Sequence, residues 1–233
     1  MNLGTILALA IGTVVECILA TFMMRAYKIA AWKSIPAALA TTIVGTIAAY
    51  LWHMFESSNF GGRSFYGAVF LIPIAFIGLA KLLRTPYRDL MDITAPFGTI
   101  TLVVMKYSCW QNGCCYGRRL WDLPHGGTVH FPSQLVEAGL GAVLTVALVC
   151  LSRNVKNRGK IYGWFLLLYG ACRFVLNFFR GNTEPFLAWL PNGNVWSLIA
   201  VFAGILWITD RKLAIVKRTQ TAQAPETENP ETH

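Results

Sequence analysis

Tyr169, Arg173, Asn177 and Arg180 recur at i, i+4, i+8 and i+11 within an apolar run, Ile161–Phe179. That spacing stacks them on one face of a helix. An arginine centred in such a run costs about 2.5–3.5 kcal/mol on insertion scales, so it persists where it meets an anion, a carboxylate or water. Arg180 is also placed to snorkel toward an interface, whereas Phe174–Phe179 separate Arg173 from one. A second cation, Lys106, opens the stretch Lys106-Tyr-Ser-Cys-Trp-Gln-Asn-Gly-Cys-Cys-Tyr-Gly-Arg118, which follows the short apolar segment Ile93–Met105. Asn112 and Gly113 lie in its middle. Gly-broken polar backbone is tolerated at membrane depth only where it is buried in protein or lines a cavity. Arginine grips phosphate oxygens in pairs and lysine acts as a point charge. Together these residue types fit a phosphate- or carboxylate-bearing ligand, and within a membrane the obvious phosphate is a phospholipid head group.

Four further groups of residues stand out. Pro132-Ser133-Gln134-Leu135-Val136-Glu137 opens another apolar run, with Gln134 and Glu137 on one face. Glu137 is either stabilised by the helix N-terminus or the partner that neutralises Arg173 or Lys106. Gly61-Gly62-Arg63-Ser64-Phe65-Tyr66-Gly67-Ala68 places two glycines, a cation and Tyr66 at the start of a third apolar run. Glu16, His53 and Asp92 are isolated, and each is expected to be a helix–helix hydrogen-bonding or an interfacial residue rather than a catalyst. Among the six cysteines, Cys17, Cys150 and Cys172 sit inside apolar runs as small packing residues. Cys109, Cys114 and Cys115, with His125 and His130 downstream, match no standard zinc spacing and contain no C-x-x-C pair. No metal or cofactor is expected, and a disulfide to Cys109 stays open.

The elements that must position these residues are membrane helices. The chain has 233 residues, 55% of them hydrophobic and 13% charged, with a mean hydropathy of +0.49. Apolar runs at Leu3–Met24, Ile35–Met54, Phe65–Ala80, Leu135–Leu151, Ile161–Phe179 and Val195–Thr209, with the shorter Ile93–Met105, approach the ~20 residues needed to cross hydrocarbon. The expected fold is an all-α polytopic membrane protein of about seven transmembrane helices. Residues 1–212 form one membrane domain, and 213–233 form a Pro/Glu/Thr-rich tail expected to be disordered. Met1-Asn2-Leu3 lacks the basic start of a cleavable signal peptide. The +9 net charge gathers in alternate connections: Arg25, Lys28 and Lys33; Lys81, Arg84 and Arg88; Arg153, Lys156, Arg158 and Lys160; and Arg211, Lys212, Lys217 and Arg218. By the positive-inside rule this places the N-terminus outside and the C-terminus in the cytoplasm. The excess is thereby explained without nucleic acid.

In order along the chain, Gly62-Arg63-Ser64-Phe65-Tyr66-Gly67, Asn112-Gly113-Cys114-Cys115-Tyr116-Gly117-Arg118, Pro132-Ser133-Gln134-Leu135 with Glu137, and Tyr169-Gly170-Ala171-Cys172-Arg173-Phe174 through Arg180 resemble the bacterial prolipoprotein diacylglyceryl transferases. The resemblance covers roughly Gly61 to Ile208. It implies a multi-pass plasma-membrane enzyme that moves a diacylglyceryl group from phosphatidylglycerol to the thiol of a lipobox cysteine in a preprolipoprotein. The product is a thioether and the leaving group is glycerol phosphate. The resemblance and the residues together give Arg173, Tyr66 and Lys106 as expected catalytic residues, and Asn112, Gly113, Tyr169, Arg180, Glu137 and Gln134 as expected substrate-binding ones. The chain departs from that family's pattern at Lys106, where an arginine is usual, at Phe131, where a histidine is usual, and at Asn177, where a glutamate is usual. Two other expectations remain beside this one. One is a diverged paralogue acting on another acceptor; the other is a non-catalytic phospholipid-binding or transport protein.

Overall fold

The computed structural model describes residues 3–57, 64–124, 127–180, 185–187 and 190–210. Gly61, Gly62, Arg63, His125 and the tail expected beyond 212 lie outside the described residues. Seven α-helices account for most of what is described: α1 (Leu3–Ala26), α2 (Ser34–Ser57), α3 (Phe65–Leu82), α4 (Tyr87–Gln111), α5 (Ser133–Ser152), α6 (Ile161–Asn177) and α7 (Asn192–Thr209). Short 3₁₀ turns at Ala31–Lys33 and Val155–Asn157 join α1 to α2 and α5 to α6. Two small antiparallel hairpins, β1 (Arg119–Asp122) with β2 (Thr128–His130) and β3 (Pro185–Leu187) with β4 (Leu190–Pro191), decorate the α4–α5 and α6–α7 connections.

The protein is an all-α membrane protein. Ala31–Glu56, Phe65–Leu82 and Ser133–Ser152 are long and apolar enough to cross a bilayer, and the apolar helices Ile161–Asn177 and Gly193–Thr209 are shorter. Large apolar side chains point outward along these helices, among them Ile43, Ile74, Val143, Val146, Phe202 and Leu206. Exposed apolar surface on this scale is tolerated where lipid covers it.

The fourth helix departs from the sequence expectation. Ile93–Met105 reads as a segment too short to span, yet α4 runs for 25 residues from Tyr87 to Gln111. Its polar residues, Asp89, Asp92 and Lys106, obscure it because they face protein rather than lipid. The helix packs against α1, α2, α3, α5 and α6, and Asp89 through Phe97 are buried without a break. The first half of the Lys106–Arg118 stretch is therefore helical, and the glycine-broken backbone starts only at Asn112.

Asp92 shows what a buried carboxylate does in this setting. It is fully buried and accepts from Tyr27 Oη at 3.0 Å, from the backbone N–H groups of Ile161 at 2.9 Å and Tyr162 at 3.3 Å, and from the N–H of Gly159. It thus supplies acceptors to the free N–H groups at the start of α6 and ties that helix to α1 and α4. Nearby, Arg158 grips Asp89 with Nε at 3.0 Å and Nη2 at 2.5 Å, and Arg88 meets Asp210 at 2.5 Å. The basic residues at this end of the bundle are thus partly structural. Glu16 accepts from Thr101 Oγ1 at 2.8 Å, joining α1 to α4. Both carboxylates fill the hydrogen-bonding role expected of them.

At the other end, α6 and α7 approach so closely that a Cβ on Gly170 would meet Ser197 O at 2.8 Å. Small residues permit such approaches between membrane helices. This contact carries α7 up to the polar face of α6.

Asp92→Ala is expected to destabilise the bundle by about 1–3 kcal/mol for each buried donor it orphans. Asp92→Asn, which keeps one acceptor oxygen, is expected to lose less. Thermal unfolding in detergent measures both, and a wild-type midpoint for Asp92→Ala would contradict the role given to this residue.

Candidate active site

Tyr169, Arg173 and Asn177 are all buried on the inner face of α6, as their spacing requires. Arg180 follows three residues after the helix ends and is half-buried. Opposite them, the first five residues of α5 include the buried Ser133, Gln134 and Glu137. Lys106 enters from the last turns of α4.

Glu137 lies between the two cations. Its Oε2 is 2.7 Å from Lys106 Nζ and 2.5 Å from Arg173 Nη1. These are charge contacts that do not run along hydrogen-bond directions: Glu137 Oε2, Arg173 Nη1 and Arg173 Nε have no aligned hydrogen-bond partner among the described residues. A buried guanidinium therefore keeps donors to spare beside a single carboxylate. Arg180 is within electrostatic range of both Arg173 and Glu137. Burial, reinforced by the charge of Arg173, holds its guanidinium below its usual pKa. Lys106, Arg173 and Arg180 against Glu137 leave the cluster with a net charge of +2 when all four are ionised. An excess of buried positive charge, with Arg173 Nε still without an acceptor among the described residues, suits an anion.

Tyr66, near the start of α3, brings a hydroxyl to the same region. Its Oη is 2.5 Å from Ser197 Oγ of α7, and it interacts electrostatically with Arg173 and Glu137. Asn177 Nδ2 donates to the same Ser197 Oγ at 3.4 Å, and Ser197 donates to Gly193 O at 2.8 Å. The Tyr169 ring sits edge-on to Phe65 at 5.1 Å and stacks on Phe165 at 5.7 Å, forming an aromatic floor beneath Arg173. Ser197 escapes notice in the sequence, where it is a single small polar residue in an apolar run.

The α4–α5 loop closes over this cluster and is held from three sides. Gln134 Nε2 donates to Cys114 O at 2.7 Å, and Ser133 Oγ donates to Cys115 O at 2.7 Å. Gly117 N donates to Phe131 O and Arg118 N to Phe179 O, both at 2.9 Å, and Gly117 pairs with Arg180 as an isolated bridge. A Cβ on Gly117 would lie 2.7 Å from Phe131 O and from Phe179 O, so only glycine fits there. Gln134 thus anchors the loop. Asn112 and Gly113 are exposed at its start: the Asn112 amide donates to Ser108 O at 2.9 Å, and Gly113 has φ +63°. The structure brings Lys106, Glu137, Arg173 and Arg180 together, with Tyr66 and Tyr169 adjoining. It leaves Asn112 and Gly113 at the rim.

Within the loop, Cys114 and Cys115 meet Cys109 from the last turn of α4. Cys115 is held well below its usual pKa, chiefly by a hydrogen bond from Cys109 and then by the charge of Lys106, while burial pushes Cys114 up. On the lipid side of α4, an apolar cavity of about 610 Å³ lies between α1, α4 and α5. Ile11, Val15, Val103, Val104 and Val146 line it, with Tyr107 and Gln111 beside them.

Comparison with known proteins bears on the chain as a whole. The family model for prolipoprotein diacylglyceryl transferase matches residues 6–209. Relatives named phosphatidylglycerol–prolipoprotein diacylglyceryl transferase include one from Teredinibacter turnerae, 32% identical over 165 residues, covering 63% of this chain and 55% of the relative. One from Geobacter sulfurreducens is 34% identical over 128 residues, covering 52% of this chain and 49% of the relative. One from Methylococcus capsulatus is 33% identical over 157 residues, covering 63% and 60%. The chain thus spans about half to three-fifths of the length of these curated relatives.

Glu137→Gln leaves two buried cations without their counter-ion. Breaking a buried pair from one side costs about 3–5 kcal/mol, so the variant is expected to unfold well below wild type in detergent. Adding Lys106→Met to it is expected to recover part of the loss. An unchanged midpoint for Glu137→Gln would contradict the ion-pair geometry.

Proposed function

The chain belongs to the prolipoprotein diacylglyceryl transferase family, and on that premise we propose that it transfers a diacylglyceryl group from phosphatidylglycerol to the thiol of a lipobox cysteine in a preprolipoprotein. The observation that carries the reading is the buried cluster around Glu137, in which one carboxylate faces three cations and Arg173 Nε has no hydrogen-bond partner among the described residues.

The charge suits the chemistry. A thiolate attacks the glycerol carbon that bears the phosphate ester; the carbon–sulfur bond forms, the carbon–oxygen bond breaks, and its electron pair leaves with the phosphate. The phosphodiester enters with one negative charge and glycerol phosphate departs with two. A cluster of +2 is best matched to the departing dianion. Interactions stronger in the transition state than in the ground state are those that accelerate the step. Arg173, Lys106 and Arg180 hold the phosphate in this account, and Glu137 holds the first two of these apart and in place. Tyr66, joined to Ser197, orients the incoming thiol. Tyr169 shapes the floor. Gln134 fixes the loop, and Asn112 and Gly113 border the head group at the rim. The apolar cavity beside α4 is of a kind that accepts an acyl chain.

The charge pattern supports an orientation in a bacterial plasma membrane with the N-terminus outside and the C-terminus in the cytoplasm. Arg25, Lys28 and Arg158 then mark the cytoplasmic end, and the cluster around Glu137 lies toward the outer leaflet. A second reading keeps the donor and changes the acceptor. It is favoured by Lys106, which lacks the bidentate fork of arginine, and by Asn177, which removes an anionic partner from beside Arg173.

Expression in bacteria depleted of their own transferase is expected to restore lipoprotein maturation. With purified protein, Arg173→Ala is expected to lower turnover by about 10²–10³-fold, and Arg173→Lys by less. Unmodified prolipoprotein at normal expression would contradict the transferase reading. Glycerol phosphate release with no mass gain on a lipobox peptide would favour the second acceptor, and no phospholipid turnover at all would indicate a binding or transport protein.

A further inference from the structure

The sulfurs of Cys109, Cys114 and Cys115 all lie within 4.8 Å of one another, a convergence that the linear spacing conceals. Adjacent residues in extended backbone point to opposite sides. Here Cys115 adopts φ +63°, a left-handed conformation costly for a side-chain-bearing residue, and Gly113 does the same just before it. The loop is held in that state by Gln134 on the carbonyl of Cys114 and by Ser133 on the carbonyl of Cys115. The N–H of Cys114 donates to Cys109 O at 3.1 Å, fixing the loop to α4. Strain of this kind collects at ligand clamps.

We propose that Cys109, Cys114 and Cys115 form a three-thiolate site for a thiophilic d¹⁰ cation, zinc(II) or copper(I), with its fourth coordination position open. Thiolates select such ions. With metal–sulfur bonds of about 2.3 Å, three sulfurs on one zinc stand about 3.8–4.0 Å apart, which small side-chain rotations reach from the present arrangement. A disulfide would join two of the sulfurs and leave the third unused, whereas a metal uses all three. Each thiol gives its proton to solvent on binding. Lys106, within electrostatic range of all three, offsets the negative charge the thiolates bring. Cys109 is half-buried while Cys114 and Cys115 are exposed. Three protein ligands with solvent access are the pattern of an open site rather than a closed structural one.

With the ion bound, an external thiol would take the open position and give its proton to solvent as it binds. In the transfer reaction, that thiol is the acceptor's. This use of the site rests on the proposed function; the site itself does not.

The test uses the full-length protein purified in detergent under reducing conditions. Metal analysis after loading with zinc, and separately with copper(I), is expected to give one ion per chain and shows which is kept. Cobalt(II) is expected to give thiolate charge-transfer and tetrahedral d–d absorption. Cys109→Ser, Cys115→Ser and the exposed Cys114→Ser are each expected to lose both signals. Cys150→Ser, on the far side of the bundle, is expected to keep them. Adding a cysteine-containing lipobox peptide is expected to shift the cobalt bands, and the matching serine peptide is not. Absence of bound metal, retention in the cluster variants, or a disulfide within the cluster under these conditions would overturn the site. Metal bound without a peptide-dependent shift would overturn the open position. None of these readouts needs diacylglyceryl transfer, so they stand or fall separately from the proposed function.

Discussion

Glu137 is the fixed point on which the site depends. One carboxylate, buried near the start of α5, meets Lys106 from α4 and Arg173 from α6. Either cation alone would be costly in a protein interior within a membrane, and removal of the carboxylate would leave both uncompensated. The contact also sets a limit: one negative charge cannot balance three positive ones, so the cluster keeps an excess. Held by three helices and lacking aligned acceptors for Arg173, that excess is stable only while the helices keep it in place. It is also the property that an anionic ligand would satisfy. Structural role and binding capacity thus arise from the same incomplete neutralisation.

The rest of the fold serves this arrangement. Because α4 runs through the middle of the bundle, it can carry Asp89 and Asp92 at one end and Lys106 at the other without exposing them to lipid. Asp92 fixes the start of α6 on α4, and this determines where Arg173 and Arg180 emerge at the far end. The close approach at Gly170 carries Ser197 to Tyr66. The loop after α4 is then bound to the ends of α5 and α6 through backbone groups, so the ceiling and the walls of the site share anchors.

The sequence revealed what depends on local periodicity. The common face of Tyr169, Arg173 and Asn177 follows from helical spacing alone, as does the shared face of Gln134 and Glu137. It also showed that a lone Arg173 requires a partner and offered Glu137 in one of two readings, the one that its contacts with Arg173 and Lys106 favour. What stayed hidden depends on distant parts of the chain. The length of α4 was masked because hydropathy assumes that polar residues face water, whereas Asp92 faces Tyr27 and α6. Ser197 matters through Tyr66, 131 positions away. The convergence of three thiols depends on the left-handed Cys115, which no spacing rule reveals. Membership of the family is carried by a match over residues 6–209, while the roles of individual side chains rest on geometry.

The central claim is that the cluster around Glu137 is matched to a departing phosphate dianion. The most direct measurement is the affinity of purified protein for glycerol phosphate as a function of pH. A phosphate monoester takes its second negative charge as pH rises through about 6. Binding is therefore predicted to strengthen as pH rises from 5 to 7 (about one unit either side of that pKa), and to lose most of that dependence in Arg173→Met. Affinity that is flat across this range, or that persists unchanged in Arg173→Met, would contradict the account.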